Sequence, residues 1–196
     1  MSEDNYIRTG SGGDSGIGTA APGRGGDIIL MHCPQKTFDP TAYKEAPPKG
    51  DIHFDLNGGR PYLSFYASGG VFLKGELCMI HSTARSRLYW WLRGVDLDSL
   101  NARIPLRLLD GSITFCPGPG GAAFDGTQGP GGNIIFRYVP VGEDGTPSGA
   151  REDILTITDE GTAFAHGRSE PLLPSEVIAN FFIWLDRAFP VQPKAT

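Results

Sequence analysis

The side chains best grouped for chemistry are Asp51, His53 and Asp55. In an extended strand these three alternate onto one face, so two carboxylates flank one imidazole. That arrangement suits a metal ligand set or an acid–base group, because histidine changes charge near neutral pH. A solvated strand face with carboxylates beside a histidine gives the same pattern and is its commoner origin. His32, His81 and His166 stand apart, and no pair has the HxxxH or HExxH spacing that sets two ligands on one helix face. Cys33, Cys78 and Cys116 are too few and too widely spaced for a disulfide framework or a zinc knuckle. Leu77-Cys78-Met79 and Phe115-Cys116-Pro117 are apolar settings that disfavour a reactive thiolate. No GxSxG elbow is present, and Asp96/Asp98 and Asp159/Glu160 fit a helix exit and a turn. The sequence therefore predicts no catalytic constellation, no metal and no cofactor. Trp90 and Trp91 remain as candidates for stacking on a ligand such as a sugar ring.

The elements that must position these residues are set by an internal repeat. Residues 154–167 read ILTITDEGTAFAHG: an alternating strand, a Gly turn and a second alternating strand. Residues 63–75 read LSFYASGGVFLKG, with Leu63, Phe65, Gly69, Phe72 and Gly75 at the offsets of Leu155, Ile157, Gly161, Phe164 and Gly167. A helical stretch follows each, with Trp91-Leu92 answering Trp184-Leu185. In the first helix Leu88, Trp91 and Leu92 form one stripe, with Ser82 as a cap. In the second, Val177, Phe181, Trp184 and Ala188 form one stripe, and Ile178, Phe182, Leu185 and Phe189 form another. Two apolar stripes exceed what one hairpin face can cover, so these side chains are expected in a packing or oligomer seam. Pro174 suits the first turn of this helix, and Glu176 suits its positive end.

The fold class expected is α+β, β-dominated, with short antiparallel hairpins and two amphipathic helices in an internal duplication. Asn57-Gly58-Gly59 marks a tight turn, and residues 104–116 suggest a third hairpin about Asp110-Gly111. The phrases KGDIHF, GGDIIL and GGNIIF each put a Gly turn and an Asp or Asn before a strand start. Residues 1–26 are expected to be a flexible Gly-rich arm. Residues 27–103 would be a first β-rich hairpin–helix unit with an extended Pro-rich connector. Residues 104–189 would be a second unit containing a Gly/Pro loop at 117–132, with a tail at 190–196. No Gly-Lys-Ser/Thr follows that loop, which argues against a phosphate cradle.

A formal net charge of −5 argues against a nucleic-acid partner. The basic cluster Arg85, Arg87 and Arg93 is read as a solvated helix face. No run of about 18 apolar residues implies a membrane span, and no apolar leader follows Met1. The protein is expected to be soluble and made in the cytoplasm without a signal peptide.

The glycine-rich GGDIIL strand of residues 25–30 resembles the GGDIxL strands of phage tail and tail-fibre proteins. The 154–167 hairpin followed by a helix closing in Phe181-Phe182-Ile183-Trp184-Leu185 resembles a module of phage-encoded proteins. The resemblance implies a structural, virion-associated assembly protein that is not an enzyme. Its partners would be itself, as a homo-oligomer with a trimer as first guess, and other structural proteins. One alternative is a carbohydrate or cell-surface binding module using Trp90 or Trp91 on a glycan. The other is a small enzyme, or a phage-encoded inhibitor of host defence, with a ligand pocket between the duplicated halves.

Overall fold

The computed structural model describes residues 5–8, 10–12, 21–31, 50–94, 111–123, 125–140, 142–144, 146 and 148–191. The chain is α+β and β-dominated. Its elements run β1 (Asn5–Arg8), β2 (Ile28–Met31), β3 (Ile52–Leu56), β4 (Arg60–Phe65), β5 (Gly70–Leu73) and β6 (Glu76–Ile80). There follow α1 (Ala84–Gly94), β7 (Ile113–Cys116), β8 (Ile134–Tyr138), β9 (Glu152–Ile157), β10 (Ala163–Ala165) and α2 (Pro174–Ala188). One sheet has the order β1-β7-β3-β4-β5-β6 and the other β10-β9-β8-β2.

The repeat in the sequence is a repeat in space. β3–β4–β5–α1 and β8–β9–β10–α2 have the same pairing, with Ile52 opposite Phe65 in one and Ile134 opposite Ile157 in the other. Both have a bulge at the same point, after Phe54 and after Phe136. Gly69 and Gly161 turn the two hairpins at φ of 94° and 83°, which a side chain would disfavour. The turn bonds match as well: Gly69 N–H donates to Tyr66 O and Gly161 N–H to Thr158 O, both at 2.9 Å. Two equivalent pairs touch each other, Phe54 with Phe136 at 5.1 Å and Trp91 with Trp184 at 4.9 Å between ring centroids. These equivalent residues meet at the boundary between the copies, inside one continuous core to which Phe65, Phe115 and Phe181 also belong.

One chain is enough to cover both stripes of α2, with Phe182 alone of these residues half-buried. Val177, Phe181, Trp184 and Ala188 are buried, and so are Ile178, Leu185 and Phe189. Leu88, Trp91 and Leu92 of α1 are buried against them. The seam foreseen around these residues is thus a packing seam inside the chain. Pro174 opens α2, and the Glu176 carboxylate accepts the Leu173 N–H at 2.8 Å, satisfying a donor of the first turn.

Arg85 and Arg87 do not lie on a solvated face; both are buried. Arg87 spans from α1 to α2, where it pairs with Asp186 at 2.9 Å and donates to Phe189 O at 2.7 Å. A cation there satisfies carbonyls that a helix end leaves without partners. Arg85 donates to Gly50 O from Nε at 2.7 Å and from a terminal nitrogen. Buried guanidinium is tolerated where carbonyls occupy its N–H groups. The Arg93 side chain lies outside the described residues.

Within the stretch expected to be a loose arm, β1 is a sheet strand, paired parallel to β7 from Asn5–Ile113 to Arg8–Cys116. β7 is in turn parallel to β3 on its other side. With both its edges occupied it cannot form the third hairpin expected at 104–116, and Asp110 lies outside the described residues.

The glycine-rich stretches are the largest departure from expectation. The motif GxGG occurs four times, at residues 10–13, 23–26, 118–121 and 129–132. The segments around them bond to one another. Gly12 N–H donates to Pro119 O, Gly26 to Gly10, and Gly25 to Pro130, at 2.8, 2.9 and 3.0 Å. Gly118 and Gly121 donate to Gly26 and Gly23, while Gly132 and Gly129 donate to Gly118 and Gly121. Segments 21–26 and 117–121 each bond to all three of the others. A strand in a sheet has two neighbours at most, so this is a bundle of rods. Toward one neighbour the donors recur every third residue, at Gly118 and Gly121 and at Gly129 and Gly132, the period of the polyproline II helix, which has no internal hydrogen bonds and needs neighbours to satisfy its backbone. A Cβ on Gly12, Gly25, Gly120 or Gly132 would overlap a neighbouring carbonyl oxygen. None of these four has a positive φ, so close approach alone demands glycine. The bundle links the sheets, since β1 and β7 lead into it and β2 and β8 lead out.

Candidate functional site: the polar face of β3

The alternation of β3 buries Ile52, Phe54 and Leu56 in the core and leaves Asp51, His53 and Asp55 together on the opposite side. His53 lies between two buried hydroxyl residues, Ser64 on β4 and Thr114 on β7. His53 Nδ1 is 3.0 Å from Ser64 Oγ, and its ring meets Tyr66 edge to face at 5.6 Å. Asp51 is spent on local structure: its carboxylate accepts the Ala67 N–H at 2.8 Å, and its own N–H donates to Ser112 Oγ at 3.1 Å. The histidine–serine distance is that of a base and its nucleophile. Ser64 is only 4% exposed, however, so a substrate carbonyl cannot approach its oxygen along an attack line. Hydrogen bonding inside the ladder is what this pair does.

Asp55 differs from its neighbours, because its Oδ1 is buried without a hydrogen-bond partner. Burial pushes its carboxyl above the ordinary carboxylate value of 3.8, while the nearby His53 charge pulls the other way. Folding therefore increases the proton affinity of Asp55, and stability falls as pH rises through the window that opens at 3.8. Asp55→Asn is expected to raise the urea midpoint at pH 7 relative to the parent and to leave it unchanged at about pH 3, where both side chains are neutral. Chemical denaturation at the two pH values reads this directly, and a lower midpoint at pH 7 would contradict the assignment.

The other candidates are dispersed. Trp91 is 2% exposed and meets Trp184, so it offers no face to a ligand, whereas Trp90 is half-buried against Tyr89. His81 is stacked on Phe182 at 4.8 Å. Among the described residues no group of three or more His, Cys, Asp or Glu could hold a metal ion. None of their helices is long and apolar enough to cross a membrane.

Sequence reasoning passed over β6. All five of its residues are exposed, with Leu77 at 55% and Ile80 at 68%, and among the described residues β5 is its one sheet neighbour. The signal lay in the repeat. Glu76-Leu77-Cys78-Met79-Ile80 corresponds to Arg168-Ser169-Glu170-Pro171-Leu172, which is polar before its proline, ends in the buried Leu172 and forms no strand.

The chain matches no protein-family model, no curated protein and no solved structure.

Proposed function

We propose that this chain is a structural protein that self-associates, and that it does so through the open edge of its six-stranded sheet at β6. The observation that carries this reading is the contrast between the two copies of the repeat. An edge strand offers unpaired N–H and C=O groups to any extended partner, and proteins ordinarily blunt it with charge, proline or brevity. The second copy has those features in Arg168, Glu170 and Pro171. The first copy has a five-residue strand with Leu77, Cys78, Met79 and Ile80 exposed instead. The bulge opposite Val71 and Phe72 bends the strand without covering it.

The boundary between the halves supports the same reading over a ligand pocket there, because Phe54, Phe136, Phe181, Trp91 and Trp184 fill it with ring contacts. A virion-associated setting, implied by the resemblance of the hairpins and GGDIIL strands to phage tail proteins, is compatible with such a rigid assembly piece. Light scattering over a concentration series tests the proposal. The mass of the wild-type chain is expected to rise above 21.0 kDa with concentration, and that of Ile80→Lys to stay there. A wild-type chain that holds 21.0 kDa throughout would remove the reading.

A further inference from the structure

We infer that the two halves of this chain are binding partners joined by reciprocal strand donation, and that they stay assembled without the peptide connection between α1 and β7. In chain order β2 precedes the β3–β4–β5–α1 copy, and β7 precedes the β8–β9–β10–α2 copy. The intervening stretches are similar in extent, residues 32–51 and 117–133. Yet β2 does not join the sheet of the copy it precedes. It pairs parallel with β8, while β7 pairs parallel with β3. Each copy therefore supplies a strand to the other's sheet.

The two donated strands dock through the same contacts. Gly26-Asp27-Ile28 leads into β2 and meets Gly132-Asn133-Ile134; Gly111-Ser112-Ile113 leads into β7 and meets Gly50-Asp51-Ile52. The donated isoleucine gives its N–H to the facing polar residue, Ile28 to Asn133 O and Ile113 to Asp51 O, both at 2.8 Å. The donated polar side chain accepts the N–H of that same residue. Asp27 Oδ1 takes it from Asn133 at 2.6 Å, and Ser112 Oγ takes it from Asp51 at 3.1 Å. The receiving glycine lies too close to the donated glycine carbonyl to carry a Cβ, Gly132 against Gly26 O and Gly50 against Gly111 O. Two strand pairs that share three contacts make one recognition device used twice. Its ligand is an extended Gly-polar-Ile segment, read through its backbone as in β-strand addition.

These contacts run between the part of the chain that ends with α1 and the part that begins before β7. In the same sense β7 lies between β1 and β3, Arg87 of α1 bonds to Asp186 and Phe189 O of α2, and Gly12 and Gly25 donate to Pro119 O and Pro130 O. Cutting the connection removes none of them. It makes folding a meeting of two pieces, whose stability then depends on concentration.

The test places a protease site in a flexible Gly-Ser spacer within residues 95–110 and cuts the folded, full-length protein there. The cut protein is expected to keep the mass of the uncut one in light scattering at equal concentration. Its urea midpoint should fall on dilution more steeply than that of the uncut protein. Hydrogen exchange separates strand donation from apolar adhesion. The Ile28 and Ile113 amides, whose acceptors belong to the other piece, should stay slowed at least about a thousandfold after cutting. Pieces that part on cutting, or a spacer-bearing chain that does not fold before it is cut, would overturn the proposal. Pieces that stay together while Ile28 and Ile113 exchange like free amides would overturn it as well, because side-chain packing alone would then join them.

Discussion

Gly132→Ala is expected to cost about 3 kcal/mol or more, beyond the usual range for overpacking, because the added methyl has nowhere to go. It would overlap Gly26 O, and its next neighbours are Gly26 C and Asp27 N. Those atoms are main chain, held by the Gly118-to-Gly26 and Ile28-to-Asn133 hydrogen bonds at 3.0 and 2.8 Å. A flexible side chain could swing aside, but a bonded peptide cannot move without breaking its ladder. Against a typical total of about 5–15 kcal/mol, that loss brings the protein near its unfolding threshold. Gly120→Ala meets Gly129 O in the same way and should behave alike. Gly10→Ala is the control: nothing lies within 4 Å of its added methyl, and its φ is not positive. It should change stability by no more than about 0.5 kcal/mol. Urea unfolding of the three variants separates a rod bundle from a loose tether, since in a tether all three would be equally harmless.

Trp184→Ala should be the most damaging truncation in the core, at about 3–5 kcal/mol. The indole is fully buried at the boundary between the two copies, touching Trp91, Phe136 and Phe181. Its Nε1–H donates to Arg137 O at 3.2 Å, so truncation also leaves a carbonyl without its donor. The loss should not depend on protein concentration, because these partners belong to one chain. Thermal unfolding at two concentrations a hundredfold apart checks this. A gap between the midpoints of the parent and Trp184→Phe, the milder variant, that changes with dilution would return Trp184 to an intermolecular seam.

The hairpin–helix repeat was legible in the sequence because it is local. Gly69 and Gly161 mark turns needing positive φ, and apolar residues alternate at fixed offsets beside them. The strand face of Asp51, His53 and Asp55 was read from alternation alone, and β3 half-exposes His53 and Asp55 while burying Ile52, Phe54 and Leu56. What the sequence could not disclose was the hydroxyl on each side of His53, because Thr114 arrives from a distant strand. Parallel partners leave no turn between them to read, and so β1 and β7 were missed as neighbours. The buried arginines escaped notice for a related reason. Arg87 is held by carbonyls of another helix, and a charge looks solvent-facing until its acceptor is known. Glycine density misled most, since rods and disordered tails share one composition. The distinguishing mark is the fourfold GxGG spacing, which repeats the rod contacts.

The insertion of β7 between β1 and β3 has a consequence for how the polypeptide comes off the ribosome. Until Cys116 has emerged, the first sheet has a gap where β7 belongs, and β1 has no partner. β2 waits longer still, for β8 and the rods that precede it. Closing such distant contacts is entropically slow, so acquisition of the native state should be late and concerted rather than copy by copy. Meanwhile the β3–β4–β5–β6 meander can form early, with its apolar edge already bare. Where that edge pairs as proposed, nascent chains on one messenger would meet before either is complete, making co-translational pairing and premature aggregation rival fates of the same strand.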